Sequence, residues 1–279
     1  MSHSHAQAPQ GPQPLPGVDA IVAVGSGKGG VGKTTLAVNL AIALSTMGHK
    51  VGLLDADVYG PNVPLMLGSS VTPQLTPESR IEPVERYGLK VMSVGFMNPG
   101  DKPLIWRGPM LHQIMREFMQ RVDWGKLDYL IVDLPPGTGD VAISLIQTVP
   151  LTGAIVVSTP SDVSLQDARK AIEMFKQVKV DVLGIVENMS FFTCPHCHHE
   201  VDIFSKGGGQ RTAEQFALPF LGQIEIDPDI RKGGDSGNPV TLAGESGEHA
   251  KSLYEFAHRV RDRVQEVRAA APDSVIEIQ

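Results

Sequence analysis

Residues 27–34 have the types and the spacing of a phosphate-binding loop. They read GKGGVGKT, which fits the pattern G-x-x-x-x-G-K-[ST], and they stand between a strand-like apolar run and a helical one. Glycines let backbone N–H groups close around phosphate oxygens, and the following helix points its positive end at the same oxygens. Lys33 would place a full charge on the β- and γ-phosphates, and the Thr34 hydroxyl would coordinate Mg²⁺. The candidate nucleotide contacts in this segment are Gly27, Lys28, Gly29, Gly30, Val31, Gly32, Lys33, Thr34 and Thr35.

Acidic and amide side chains follow three other apolar runs, at the ends where open α/β sheets bind ligands. Asp55 and Asp57 follow the run at 51–54, and Asp133 ends the run at 129–132 in the string IVDLPPGTGD. A carboxylate after an apolar strand is typical of a magnesium ligand that acts through water, and we expect this role for Asp133. The Gly137 N–H is then placed to contact a γ-phosphate. Asn188 closes a further run, and its amide can both donate to and accept from the edge of an adenine.

Both cysteines of the chain lie in one segment, TCPHCHH at 193–199. A disulfide-oxidant site and a c-type haem attachment use similar strings, but they need a thioredoxin-like context or an export leader, and we expect neither here. A zinc site within one chain would use Cys194, Cys197 and two of His196, His198 and His199, although so short a stretch rarely surrounds one ion with four ligands. Alternatively, a two-fold dimer would double the pair to four thiolates, the number that a tetrahedral zinc or a cubane cluster requires.

Short apolar runs alternate with helical periodicity from residue 20 onward, which predicts an α/β fold with a mostly parallel central sheet flanked by helices. The predicted strands cover 20–24, 51–54, 89–94, 129–132, 153–158 and 182–186. These runs are continuously apolar, as in a sheet that is covered on both faces. Apolar residues at helical spacing predict helices from Lys33 to Gly48, over 111–118, over 165–175 with Ser161 or Asp162 as its cap, and over 247–268.

Composition limits the domain organisation and the location. The chain has 279 residues, 42% of them hydrophobic, so it can bury a sizeable core, and no apolar run is long enough to cross a membrane. Residues 1–17 are predicted to be a disordered arm, 18–271 a single ATPase domain with a cysteine loop at 190–203, and 272–279 a tail.

The net charge of −7 argues against nucleic-acid binding. Two cysteines without a disulfide framework favour a reducing compartment, by default the cytoplasm.

The phosphate-binding loop resembles the deviant Walker A box of the ParA, MinD and nitrogenase iron-protein class, because Lys28 is a second lysine within it. An ordinary loop of this kind does not need that residue. In the class, the second lysine reaches the nucleotide of a partner subunit, so the resemblance implies an ATP-bridged homodimer. It also implies that Asp57 orients the attacking water and that Asp55 supports Mg²⁺ or the loop. The catalytic residues expected on these grounds are Lys28, Lys33, Asp57 and Asp133.

Five strings together resemble the Mrp/ApbC family of iron–sulfur cluster carriers, and they cover nearly all of the chain after the arm. They are GSGKGGVGKTT, LLDADVYGPNVP, WRGPM, DLPPGTGD and ENMSFFTCPHC. The resemblance implies a P-loop ATPase in which Cys194 and Cys197 bridge a [4Fe–4S] cluster across the dimer, with Zn²⁺ able to occupy the same thiolates. It implies apo iron–sulfur proteins and cluster-assembly scaffold proteins as partners. Residues 1–17 supply neither the extra N-terminal domain nor the N-terminal cysteine motif of some members.

Other functions share the same nucleotide machinery. A MinD/ParA-like ATPase that positions cargo, with a structural zinc at the cysteine pair, would need a basic amphipathic membrane helix or a basic DNA surface. We expect the basic last helix to pack on the sheet instead. An ATP-dependent ligase or kinase is a third option, without an evident substrate pocket. No arginine finger is identifiable, so we expect slow hydrolysis, and Arg107 in WRGPM is an unassigned candidate contact.

Overall fold

The computed structural model of the chain describes residues 14–97, 108–147 and 150–270. The strands in these ranges are β1 (Val18–Ser26), β2 (Val51–Asp55), β3 (Val84–Arg86), β4 (Leu89–Ser93), β5 (Leu127–Asp133), β6 (Gly153–Ser158), β7 (Val182–Asn188), β8 (Phe192–Thr193), β9 (Glu200–Val201) and β10 (Phe220–Ile224). The α-helices are α1 (Lys33–Thr46), α2 (Val63–Met66), α3 (Gly108–Arg121), α4 (Asp140–Ile146), α5 (Asp162–Gln177), α6 (Gly208–Gln215), α7 (Pro228–Ser236) and α8 (Lys251–Ala270). Two 3₁₀ helices cover Val94–Met97 and Val240–Ala243.

Eight of these strands form one sheet in the order β10-β7-β6-β1-β5-β2-β4-β3. Neighbouring strands are parallel except at one edge, where β3 pairs antiparallel with β4. Parallel neighbours need long crossover connections, which place helices on the faces of the sheet. β8 and β9 form a separate hairpin. The predicted class, a mostly parallel sheet flanked by helices, is therefore confirmed.

Two apolar clusters cover the two faces of the sheet. Helices α1 and α8 pack on one face, where Leu40 and Phe256 are buried, and α3 and α5 pack on the other through Phe118 and Phe175. Because successive strand residues point to opposite faces, both sides of the central strands are apolar. The buried side chains of α8 confirm that the last helix packs on the sheet; they are Leu253, Tyr254, Phe256, Ala257, Val260 and Val264.

The register of the central strands places two acidic residues side by side. Asp55 ends β2 and is the register partner of Asp133, which ends β5. Asp133 in turn pairs with Val24, three residues before the phosphate-binding loop begins. The carboxyl ends of β1, β2 and β5 therefore meet at one edge, where open α/β sheets bind ligands.

All six predicted strands are present, with small shifts at their ends. The predicted strand 89–94 stops at Ser93 because Val94 already belongs to a 3₁₀ helix, and the last helix begins at Lys251 rather than near 247. Four strands were not predicted. β8 and β9 have two residues each and β3 has three, while β10 reads FLGQI, a run interrupted by glycine and glutamine.

Candidate nucleotide site and cysteine loop

The phosphate-binding loop joins β1 to α1 and has the backbone that its glycines permit. Gly30 and Gly32 have φ of 78° and 83°, in the left-handed region that strains other residues. Gly32 stands at the N-cap of α1, so the positive end of this helix faces the space in front of the loop. Lys33 and Thr34 are the first two residues of α1. The loop thus has the strand–loop–helix context that the motif requires.

Gly27 allows the loop to approach α5 closely. A Cβ built on Gly27 would lie 2.1 Å from the backbone C and O of Asp167, whereas a Cβ on Gly29 would meet nothing within 4 Å. A helix backbone cannot give way as the end of a flexible side chain can. The position of the loop is therefore fixed partly by its contact with α5.

Alanine substitutions at Gly27 and Gly29 should separate the effect of the close contact with α5 from the effect of losing a glycine. We expect Gly27→Ala to lower the free energy of unfolding by about 1–3 kcal/mol, because the new methyl overlaps a helix backbone. Gly29→Ala is the matched control, since its methyl enters open space, and its free energy of unfolding should stay near that of the wild type. Chemical denaturation of both variants without nucleotide makes the comparison. Equal losses in the two variants would contradict the close contact with α5.

The ammonium of Lys33 is surrounded by carboxylates. Its Nζ donates to Asp133 Oδ1 at 2.6 Å and lies 3.8 Å from Asp57 Oδ2. The Thr34 hydroxyl donates to Asp133 Oδ2 at 2.7 Å, so both oxygens of Asp133 are engaged. The side chain of Lys33 is only 6% exposed and that of Asp133 is fully buried. The structure therefore brings together four of the residues predicted for the site, Lys33, Thr34, Asp57 and Asp133.

Asp55 holds the backbone beside this ion pair. Its Oδ1 accepts from the Asp57 N–H at 3.2 Å, and its Oδ2 accepts from the Val63 N–H at 3.2 Å and the Ser93 hydroxyl at 2.9 Å. The carboxylate thus fixes the turn after β2 and the start of α2. These three bonds go to the segment after β2 and to the end of β4, so the predicted support of Mg²⁺ or of the phosphate-binding loop by Asp55 stays a prediction.

Burial raises the pKa of all three carboxyl groups. For Asp55 the desolvation, together with the nearby charge of Asp133, raises the pKa to about 8. For Asp133 and Asp57 desolvation is again the largest cause, and Lys33 opposes it in both. The single buried cation opposes this desolvation without cancelling it, because the pKa of each of the three carboxyl groups is still raised. A triphosphate that takes Lys33 away must come with another cation.

Mg²⁺ suits the oxygens that Lys33 and Thr34 now contact. It prefers hard oxygen ligands, and the Thr34 hydroxyl and Asp133 carboxylate lie within hydrogen-bond distance of each other at the end of the loop. Lys33 stands in for part of the positive charge that the ion would bring. Thr34 and Asp133 are therefore the residues that would hold Mg²⁺, directly or through water.

Three further predicted residues lie at the loop. The Gly137 N–H donates to the Ser26 carbonyl at 2.9 Å, so it would have to leave this acceptor before it could contact a γ-phosphate. Asn188 Nδ2 donates to the Val31 carbonyl at 2.8 Å, and its side chain also lines the cleft. Lys28 is half-buried at the mouth of the cleft. The adenine contact of Asn188 and the phosphate contact of Gly137 remain predictions.

A cleft of about 540 Å³ extends from the phosphate-binding loop to a wall that the sequence did not predict. Asn188 and Thr35 line it on the near side. The wall follows β10 and consists of Glu225, Ile226, Asp227, Ile230 and Arg231, with Phe204 from the far end of the cysteine loop region. An Asp-Pro pair that starts a helix after a strand is a recognisable signal, but β10 itself was missed.

His249 fastens this wall to the segment before α8. Its Nδ1 lies 2.6 Å from Asp227 Oδ2 and its Nε2 lies 3.4 Å from Asp229 Oδ2. The hydrogen bond to Asp227 is the largest cause that raises the pKa of His249. Asp227 also caps α7 by accepting from the Asp229 N–H at 2.7 Å. The wall of the cleft is thus held on two sides.

The two cysteines lie in the tight turn of the β8–β9 hairpin. The Cys194 N–H donates to the His199 carbonyl at 3.0 Å, and the His198 N–H donates to the Cys194 carbonyl at 2.9 Å. His198 has φ of 56°, which permits the reversal of the chain. Cys197 is exposed and Cys194 partly exposed, both as free thiols. The hairpin therefore presents the pair at the surface.

Backbone N–H groups favour the thiolate of Cys194. Those of Cys197 and His196 face its sulfur and lower the pKa of the thiol. Thiolates are the form that binds metals. Within the described ranges, three potential ligands converge only at Asp227, Asp229 and His249, so no histidine there completes a set of three ligand atoms with the cysteine pair.

Two other features bear on the predictions. None of the helices in the described ranges is both long enough and apolar enough to cross a membrane. Arg107, residues 1–13 of the arm and the tail at 272–279 lie outside the described residues.

Comparison with known proteins gives one family. A family model described as ParA, NUBPL iron-transfer P-loop NTPase, matches residues 17–261. An iron–sulfur cluster carrier protein of Aquifex aeolicus (strain VF5) is 52% identical over 245 residues, which is 87% of this chain and 67% of that protein. A mitochondrial iron–sulfur protein required for NADH dehydrogenase in Arabidopsis thaliana is 47% identical over 95% of this chain and 85% of its own length.

Solved structures agree with this assignment. A nucleotide-binding protein of Archaeoglobus fulgidus, in complex with ADP and with cobalt found in it, is 39% identical with a TM-score of 0.74, over 87% of this chain and 93% of that one. The cell division ATPase MinD of Pyrococcus furiosus is 23% identical with a TM-score of 0.65, over 87% and 98%, and this likeness shows the fold alone. From the match over residues 17–261 and these identities, the chain belongs to the ParA-like P-loop NTPases of iron transfer, the family that includes the iron–sulfur cluster carrier proteins.

Proposed function

We propose that the chain binds and slowly hydrolyses MgATP as a homodimer, and that it holds a [4Fe–4S] cluster between the cysteine pairs of two subunits for transfer to apo-proteins. The observation that supports the cluster site most directly is the exposed pair Cys194 and Cys197, which has two thiolates and no third ligand in its own chain among the described residues. A cubane cluster needs four such ligands, and a two-fold axis supplies them.

Hydrolysis in this proposal uses the ion-pair cluster at the phosphate-binding loop. With a triphosphate bound, the Lys33 ammonium would contact the phosphates instead of Asp133, and Thr34 and Asp133 would hold Mg²⁺. Asp57, 3.8 Å from Lys33, is left to orient the attacking water. The A. fulgidus protein, which was solved in complex with ADP, supports nucleotide binding by this chain. In the proposal, the base lies toward the wall formed by Ile226 and Asp227.

Hydrolysis is proposed to change the distance between the two cysteine pairs and so to bind or release the cluster. Acceptors are apo iron–sulfur proteins and donors are assembly scaffolds, which the names of the relatives support in general terms. Free thiols at the surface suit a reducing compartment, so the cytoplasm stays the expected location. Zn²⁺ bound at the same thiolates would not contradict the proposal, because thiolates accept both metals.

The test is anaerobic reconstitution with iron and sulfide of the wild type and of the double variant Cys194→Ala/Cys197→Ala. We expect about four irons per dimer in the wild type with the absorbance of a cubane cluster, none in the double variant, and transfer from the wild type to an apo-acceptor. ATPase activity should persist in the double variant, because the cysteines lie outside the phosphate-binding loop.

Two results would decide against the proposal. If neither protein takes up a cluster while zinc stays bound and ATPase activity is intact, the chain is a zinc-linked dimer or a positioning ATPase. If the double variant takes up as much iron as the wild type, the ligands lie elsewhere. Cluster uptake that depends on Cys194 and Cys197 but gives two irons for each pair of chains would correct the cluster type only.

A further inference from the structure

Glu187 is a buried carboxylate for which the nucleotide chemistry has no use. It is the sixth residue of β7 and is fully buried. Its Oε1 accepts from the Ser190 hydroxyl at 2.5 Å and from the Gly207 N–H at 3.0 Å. Its Oε2 accepts from the Gly209 N–H at 2.5 Å. A buried charge with this many donors is costly to leave without them.

The donors stand at both ends of the segment that bears the cysteines. Ser190 is the first residue of the cysteine loop, and Gly207 and Gly209 lie just beyond its far end, where α6 begins. A Cβ on Gly209 would lie 2.9 Å from the Glu187 Cβ, so glycine allows this approach. One carboxylate therefore fixes both ends of the loop, and a shift of Glu187 moves them together.

The next residue along β7 contacts the phosphate-binding loop. Asn188 Nδ2 donates to the Val31 carbonyl at 2.8 Å. A Cβ on Gly32 would lie only 2.1 Å from the same Nδ2, so the amide is packed directly against the loop backbone. A displacement of the loop backbone by bound phosphates would therefore displace Asn188 and the end of β7.

We infer that Glu187 is a positioning residue that, through Asn188, makes the arrangement of the cysteine pair depend on whether nucleotide is bound. Its two oxygens hold the ends of the cysteine loop, and its neighbour in the strand holds the phosphate-binding loop. Phe204, the residue directly after the cysteine loop, lines the nucleotide cleft and would give a bound nucleotide a second contact near this loop. The inference deepens the proposed carrier function and rests on it for its purpose, although not for its geometry.

Glu187→Gln tests the inference with little change of shape. The amide must direct its N–H₂ group at either the Gly207 N–H or the Gly209 N–H, so one of the two anchors at the far end of the loop is lost. The bonds that remain go to a neutral amide and are weaker than those to a carboxylate. Glu214→Gln is the matched control, because Glu214 is an exposed acid on α6. Its side chain accepts a hydrogen bond from the Gln210 amide, which a glutamine at 214 can still accept. Ser190→Ala is a milder second variant, since it removes the anchor at one end only.

The measurement is the rate at which iodoacetamide alkylates Cys194 and Cys197 in the full-length, metal-free protein, with and without a non-hydrolysable ATP analogue. In the wild type and in Glu214→Gln we expect the analogue to change the rates several-fold. In Glu187→Gln we expect equal alkylation rates with and without the ATP analogue, although the variant still binds the analogue with the affinity of the wild type. If Glu187 served stability alone, the substitution would change the alkylation rates equally with and without the analogue. The difference that the analogue causes would then persist.

Each outcome decides the matter. A nucleotide-dependent difference that persists in Glu187→Gln overturns the inference, and so does a wild type without any difference. If circular dichroism shows that Glu187→Gln is unfolded, Ser190→Ala decides, with a reduced difference expected and an unchanged one overturning the inference. The cluster test of the carrier function is independent, because it asks only whether iron uptake requires Cys194 and Cys197.

Discussion

Lys33→Met should lower ATP turnover strongly, with a fall of about 10²–10³-fold in phosphate release. The ammonium of Lys33 is the group that we expect on the β- and γ-phosphates, and in the nucleotide-free protein it neutralises Asp133 and Asp57. Its loss removes an electrostatic contact to the transferred group. Binding of an ATP analogue, measured by calorimetry, should weaken together with turnover.

The same substitution should lower stability in a pH-dependent way. A carboxyl group whose pKa is raised in the folded protein binds its proton more tightly there than in the unfolded chain, so stability falls as pH rises toward the folded pKa. For Asp55 this window extends from the ordinary 3.8 to about 8. Without Lys33 the pKa of Asp133 and Asp57 should rise as well. The loss of stability should therefore approach the roughly 3–5 kcal/mol of a broken buried ion pair at high pH and be smaller at low pH.

Lys126→Met is the matched control for Lys33→Met. Lys126 is exposed and precedes β5, so it lies at the opposite edge of the sheet from the phosphate-binding loop. Its replacement should change neither turnover nor the pH dependence of thermal unfolding. A Lys33→Met protein that melts with the same pH profile as the wild type would show that Lys33 does not neutralise the carboxylate cluster.

The nucleotide half of the site could be predicted because its chemistry is local in sequence. Glycines, Lys33 and Thr34 lie within one strand–loop–helix unit, and the backbone conformation of Gly30 and Gly32 follows from the motif. Asp133 could be added because parallel strands bring their carboxyl ends to one edge. The roles that need a ligand, such as the contacts of Gly137, remain predictions.

The rest of the site depends on long-range packing that periodicity does not report. The wall at Ile226 and Asp227 follows β10, whose composition does not indicate a strand, and it reaches the cleft only because β10 pairs with β7. Glu187 was hidden within an apolar run, and its partners lie 3 to 36 positions away in the chain. A single sequence identifies residues that meet within a motif better than residues that meet through tertiary contacts.

These two groups of residues have different consequences for function. In our proposals, the ion-pair cluster at Lys33 binds the triphosphate, whereas the contacts of Glu187 and Asn188 connect that event to the cysteine loop. Neither group explains by itself why turnover would require two chains. Lys28 is the candidate for that requirement, because it is the one lysine of the phosphate-binding loop whose side chain has no salt bridge among the described residues.

Lys28→Ala should separate nucleotide binding from turnover. Because Lys28 is half-buried at the mouth of the cleft, we propose that its ammonium serves the nucleotide of a partner subunit. The variant should bind an ATP analogue with nearly the wild-type affinity as a monomer, since Lys33 and the loop N–H groups remain. Its phosphate release should fall by about 10²-fold or more, on the scale of a charge supplied in trans.

Light scattering with and without the ATP analogue provides the measurement that distinguishes Lys28 from Lys33. The wild type and the control Lys126→Ala should gain mass on addition of the analogue, whereas Lys28→Ala should stay monomeric at concentrations that saturate its own site. Mixing Lys28→Ala with Lys33→Met should restore part of the turnover, because each mixed dimer then has one complete site: the intact nucleotide site of the first variant with Lys28 from the second. Absence of any recovery, with both proteins folded and mixed dimers formed, would mean that Lys28 acts on the nucleotide of its own chain.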